Sequence, residues 1–242
     1  MIIKIIYSLL TLIFFILFGG GLLSQILNPE LFKNTSWTPP VFILVASLIC
    51  LMNKNPKTII FLLLAGILGF ISEIIGVKTG FPYGEYFYTE TLGIKIFDVP
   101  IVLISSWIII TTFSLDILNS LHLNKFFFPI LFSITSTTYD LLIDPLMSGP
   151  LNYWEWNNHG YYFGIPVSNF LGWIIVSAII GLLPWKNYKT NKFSLIISFS
   201  LPIFFVYTAL LNMLIVPSII GILLIVILAI KNTLTLKKRV IN

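Results

Sequence analysis

Apolar runs close to the thickness of a bilayer recur through this chain, and they limit what it can fold into more than any motif does. A helix needs about 20 apolar residues to cross the hydrocarbon layer, because 1.5 Å of rise per residue must cover roughly 30 Å. Such runs occur at Ile5–Leu27, Thr58–Val77, Val99–Leu121, Phe126–Asp144 and Pro166–Pro184. A shorter stretch, Trp37–Met52, lies between Asn28-Pro29 and the polar segment Asn53-Lys54-Asn55-Pro56-Lys57, which predicts a short or tilted span. Phe193–Ile230 is too long for one crossing and carries Asn212 near its middle, so it predicts two helices joined by a tight turn. The expected fold is all-α: one integral membrane domain, residues 1–242, built as a transmembrane helical bundle of about eight spans, with seven as the alternative count.

Composition supports the membrane reading, since 57% of residues are hydrophobic and only 10% charged, against about 25% charged in soluble domains. The run after Lys4 imitates a signal peptide, but it is longer than an h-region and no small-residue cleavage site follows it, so it is expected to be the first membrane helix. A net charge of +5 would suggest nucleic acid in a soluble chain. Here the basic residues sit in short loops and near the C-terminus, where Lys and Arg set orientation, and a nucleic-acid partner is excluded. With eight spans and an inner N-terminus, Lys4, Lys54, Lys57, Lys125, Lys186, Lys189, Lys192, Lys231, Lys237, Lys238 and Arg239 fall on the cytoplasmic side. Only Lys33, Lys78 and Lys95 of the 14 basic residues fall outside. Both termini are therefore expected to be cytoplasmic.

Against this background two polar segments stand out, 73–107 and 139–173. The first contains Glu73 one turn inside an apolar run, then closely spaced rings from Tyr83 to Tyr88, then Trp107. The second places Asp140 and Asp144 four residues apart, on one face if the run is helical, followed by His159, Asn157, Asn158 and Asn169, with rings from Tyr153 to Trp173. An acid inside a bilayer is costly to ionise, and such residues usually face a cavity or a partner. Simpler accounts exist for several of these residues. Tyr and Trp gather at headgroup level in any membrane protein, Asp144 before Pro145 fits a turn at a segment end, and His159 fits a loop histidine. For Glu73 the only nearby cation by sequence is Lys78.

Taken together, Glu73, Asp140 and Asp144 are the candidate catalytic acids, and Tyr83, Tyr86, Trp107, Trp154, Trp156, His159, Asn169 and Trp173 the candidate substrate-binding residues. Such a set suits a reaction through a carbocation: a buried carboxylic acid protonates a carbon double bond, aromatic faces stabilise the positive centre, and a second carboxylate or amide orients water. No metal is expected, because His159 has no second histidine on its side and Cys50 is the single cysteine. Other classes fit less well. A magnesium-dependent prenyltransferase needs more oxygens and more outer basic residues than Lys78 and Lys95 supply. A transporter of the usual kind would show two related halves, and a redox enzyme would show haem histidines or a dinucleotide loop.

The order Glu73, TGFPYGEYFYTETLG (79–93), VPIVLISSW (99–107), DLLIDP (140–145) and WEWNNHGYYFGIPVSNFLGW (154–173) resembles the carotenoid biosynthesis membrane-protein family that includes the carotenoid 1,2-hydratases. The resemblance implies cofactor-independent addition of water to the terminal double bond of an acyclic ψ end group, giving a tertiary alcohol. It implies a carotenoid or related isoprenoid lipid and water as partners, within the bilayer. A carotenoid end-group cyclase and a non-enzymatic isoprenoid-binding or transport protein are the alternative readings.

Overall fold

The computed structural model describes residues 2–119, 121 and 123–241; the side chains of residue 33 and residues 236–241 lie outside the description, and Lys33, Lys237, Lys238 and Arg239 of the orientation argument are among them. The chain is an all-α bundle. Its helices are α1 (Ile2–Leu27), α2 (Pro29–Asn34), α3 (Thr38–Leu51), α4 (Pro56–Thr79), α5 (Leu103–Leu118), α6 (Phe127–Met147), α7 (Val167–Gly181), α8 (Lys192–Leu211) and α9 (Ile215–Ile241). All eight expected runs are helical, and α2 is a short addition that starts at Pro29, with Asn28 accepting from the Leu31 amide at 3.0 Å as its N-cap.

Among the described residues, four helices, α1, α4, α8 and the Ile215–Thr235 part of α9, are long and apolar enough to cross a bilayer by length and composition. The apolar helices α3, α5 and α7 are shorter, at 14, 16 and 15 residues. Outward faces are apolar too: Leu63, Ile67, Ile71 and Ile75 form an exposed stripe along α4 at four-residue spacing, as a lipid-facing helix surface requires. This is a multi-pass membrane protein.

Three differences from the expected elements matter for the site. The span expected from Val99 begins at Leu103, because Val99–Pro100 (β3) pairs instead with Lys95–Ile96 (β2) in a hairpin whose turn residues, Phe97 and Asp98, both have positive φ. The two polar segments, 73–107 and 139–173, contain a ribbon rather than plain loops: Tyr86–Tyr88 (β1) and Trp154–Trp156 (β4) pair antiparallel, with Tyr86 opposite Trp156, Phe87 opposite Glu155 and Tyr88 opposite Trp154.

The third difference concerns Pro145, expected to end its helix; α6 continues past it to Met147. A proline inside a helix removes one amide donor and orphans the carbonyl four residues earlier. That carbonyl belongs to Leu141, and the Tyr162 hydroxyl donates to it at 2.7 Å. The same bond ties the 158–165 loop to α6. Asp144 consequently lies within the helix, and its side chain caps no turn.

Candidate functional site

The ribbon explains how the acids are held. Strand side chains alternate between faces, so Tyr86, Tyr88, Trp154 and Trp156 share one face while Phe87 and Glu155 point away and are exposed. The inward face lies over the ends of α4 and α6. From α4, Glu73 Oε2 accepts from the Tyr86 hydroxyl (2.5 Å) and the Tyr88 hydroxyl (2.9 Å), and its Oε1 accepts from Trp107 Nε1 at 3.4 Å. From α6, Asp144 Oδ1 accepts from Trp154 Nε1 (2.8 Å) and Trp156 Nε1 (3.3 Å). One strand serves one acid and its partner strand serves the other. Burial, reinforced by the Glu73 carboxylate, pushes the Tyr86 and Tyr88 hydroxyls well above the ordinary tyrosine value, so both keep their protons and act as donors.

Asp140 and Asp144 are joined by a third element. Asn169, in the first turn of α7, donates from Nδ2 to Asp140 Oδ2 at 2.9 Å and to Asp144 Oδ2 at 2.7 Å. An amide nitrogen has two hydrogens, so one side chain can bridge both carboxyl groups. Asp140, Asp144 and Asn169 are 1, 1 and 2% exposed. Beside them Trp107 stacks on Trp173, with ring centroids 4.4 Å apart and planes 19° from parallel.

Close helix packing makes these positions possible. A β-carbon on Gly69 would stand 2.1 Å from the Trp107 ring, and one on Gly172 would stand 2.6 Å from the Tyr83 ring. Tyr83 is thus clamped between α4 and α7, its hydroxyl paired with Ser72 Oγ at 2.7 Å. Among sequence candidates, Glu73, Asp140, Asp144, Tyr83, Tyr86, Trp107, Trp154, Trp156, Asn169 and Trp173 all line one cavity of about 590 Å³. His159 does not line it and is exposed in the loop beyond the ribbon. Lys78 is not the partner of Glu73; its ammonium sits 4.5 Å from the centroid of the Phe97 ring.

Tyr88 is a site residue that the sequence marks only as one ring among several. The alternation of Tyr86, Phe87 and Tyr88 was its available signal, since period two puts the outer pair on one face. Gly69 and Ser72 left no comparable signal, because their roles depend on side chains arriving from elsewhere in the chain.

A cavity that is apolar over most of its wall, with three carboxyl groups gathered at one end under neutral donors, suits an apolar molecule that reacts at its tip. A sequence model of the family described as carotenoid biosynthesis protein matches residues 40–228. The chain belongs to that family. The matched region contains every one of the acids, donors and rings described above, whereas α1 and α2 precede it. Neither the curated proteins nor the solved structures contain a significant match.

Proposed function

We propose that this carotenoid biosynthesis protein is a carotenoid 1,2-hydratase, adding water across the terminal C1,C2 double bond of an acyclic ψ end group. The observation that carries the reading is the gathering of Glu73, Asp140 and Asp144 at the polar end of an otherwise apolar cavity. In the first step the π pair takes a proton from a carboxylic acid, Asp140 being the candidate, so a C2–H bond forms and C1 becomes a tertiary cation. The stacked faces of Trp107 and Trp173 offer the negative side of their quadrupoles to a cation. A water lone pair then forms the C1–O bond, and the surplus proton leaves the new oxonium for a carboxylate, with Glu73 the candidate base. Return of that proton from Glu73 to Asp140 resets both groups, and the net change is one water gained, without oxidation or reduction and without a cofactor.

Asn169 would hold the Asp pair at a fixed separation, and the ribbon donors would keep Asp144 and Glu73 oriented through the cycle. Preorganised donors of this kind need no rearrangement as charge moves. Expression in cells that accumulate lycopene tests the reading by mass analysis of the pigments. Products heavier by one or two waters support it. A cyclised isomer of unchanged mass would replace it with a cyclase, and unaltered bound lycopene with a carrier. The proposed orientation, both termini cytoplasmic, rests on the distribution of basic residues. A reporter fused at the C-terminus that is active only on the external face would overturn it.

A further inference from the structure

The cavity extends well beyond the acids. From the acid end it runs past Leu201, Phe204 and Phe205 of α8 to a far wall formed by α1, α2 and the start of α3. On α1 the wall consists of Ile16, Leu17, Gly20, Gly21 and Ser24, a single stripe at helical spacing. Around Glu73, Asp140 and Asp144 every lining residue is buried or half-buried. Among the described residues, the lining residues that are also exposed are Ile16, Gly20, Leu31 and Trp37. A residue that faces both the cavity and the surroundings marks an opening, and all four belong to one place, the gap between α1 and the corner where α2 meets α3.

The glycines of α1 fit this opening. A β-carbon on Gly21 would come within 2.9 Å of the Phe204 ring, so packing accounts for its lack of a side chain. On Gly20 a β-carbon would meet nothing within 4 Å, and glycine is a poor helix former. Packing does not account for Gly20, and of the two glycines with open space around them, Gly19 and Gly20, it is Gly20 that lines the cavity. Ile16, Leu31 and Trp37 at the rim are large and apolar, with exposures of 61, 56 and 59%, so the rim presents a surface suited to lipid chains rather than to water.

We propose that this gap is a lateral portal through which a long acyclic polyene enters from the bilayer, its end group lying at the acids and its body passing out between α1 and the α2–α3 corner. The proposal rests on the reading of the cavity as a carotenoid site. Conjugated double bonds make the chain a rigid rod that cannot coil inside the cavity, so the part that does not react must leave through an opening. An apolar opening onto lipid lets it do so without exposure to water.

The test compares Gly20→Leu and Ser24→Leu, which put a side chain into the passage, with Gly19→Leu, whose β-carbon also meets nothing within 4 Å but whose residue does not line the cavity. Each protein is purified from lycopene-producing cells; retained pigment is read by absorbance and hydrated product by mass. Wild type and Gly19→Leu are expected to retain carotenoid, as lycopene together with its hydrated product, with Gly20→Leu and Ser24→Leu retaining roughly tenfold less in total, a change equal to one decade in Kd. If all four retain it equally, or if wild type retains none, the portal is overturned. Retention that follows this pattern with no hydrated product in any sample upholds the portal and overturns the hydratase reading instead.

Discussion

Glu73, Asp140 and Asp144 at one end of the bundle and Asp116 at the other are all buried acids in apolar helices, yet their surroundings differ in kind. Asp116 is wholly buried and accepts from the Tyr188 hydroxyl (2.7 Å), Ser194 Oγ (3.2 Å) and Ser198 Oγ (2.9 Å). It does not line the large cavity. Lys54 lies close by, its ammonium 4.0 Å from the centroid of the Tyr188 ring and donating to the Lys189 carbonyl at 2.7 Å. This cluster ties the α3–α4 and α7–α8 connections to α5. The other acids are held by donors on one side and face open volume on the other. Burial of an acid therefore marks a constraint, and space beside it is what allows chemistry.

The sharpest way to break the comparison is to neutralise each acid without changing its shape. Under the hydratase reading, Glu73→Gln and Asp140→Asn are each expected to lower turnover about a hundredfold or more, with membrane insertion intact, since each removes a proton-transfer group. Asp144→Asn belongs with them. An asparagine there keeps one oxygen for Trp154 and Trp156 but turns its amide toward the amide of Asn169, donor against donor. A mild effect of Asp144→Asn in inserted protein would return that residue to a structural role, and near-normal turnover of Asp140→Asn would remove Asp140 as the proton donor. All three are read by rate of hydrated-product formation.

The converse change is Asp116→Ala, which removes the acceptor shared by the Tyr188, Ser194 and Ser198 hydroxyls, leaving Tyr188 and Ser194 only the Thr112 and Asn191 carbonyls at 3.5 and 3.1 Å. It is expected to cost about 2 kcal/mol of stability, read as a lower unfolding temperature in detergent, while turnover per folded molecule stays unchanged. A turnover loss as large as that of Asp140→Asn would erase the distinction between the two ends.

The last expected effect is a pH dependence at the end of the bundle that holds Asp116. Burial lowers the Lys54 ammonium from 10.5 to about 8, although the Asp116 carboxylate pulls it upward. Between about pH 8 and 10.5 the unfolded chain therefore binds more protons at this position than the folded one, and stability gains a contribution that rises with pH across that window. Lys54→Met should flatten this part of the profile relative to wild type. Parallel profiles would show that Lys54 is not desolvated.

Much of this was legible in the chain before any folding. The bundle was, because crossing a bilayer demands long apolar runs, a property of consecutive residues that needs no knowledge of contacts. The split of the C-terminal stretch near Asn212 was legible for the same reason, since 38 residues cannot form one crossing, and α8 does end at Leu211. Glu73, Asp140 and Asp144 were visible because an acid in an apolar run is anomalous within its own segment. Tertiary structure alone decided what those acids meet. Tyr86 and Trp156 are 70 positions apart, and only the pairing of β1 with β4 puts their donors on one face. Trp107 reaches Glu73 because Gly69 lets it lie across α4, and α6 continues through Pro145 because Tyr162 returns to the orphaned carbonyl of Leu141. His159 has the chemistry of a site residue and the position of a surface one. Local sequence carries hydropathy and periodicity; which distant surfaces come together depends on the fit of side chains in three dimensions, and no single segment encodes it.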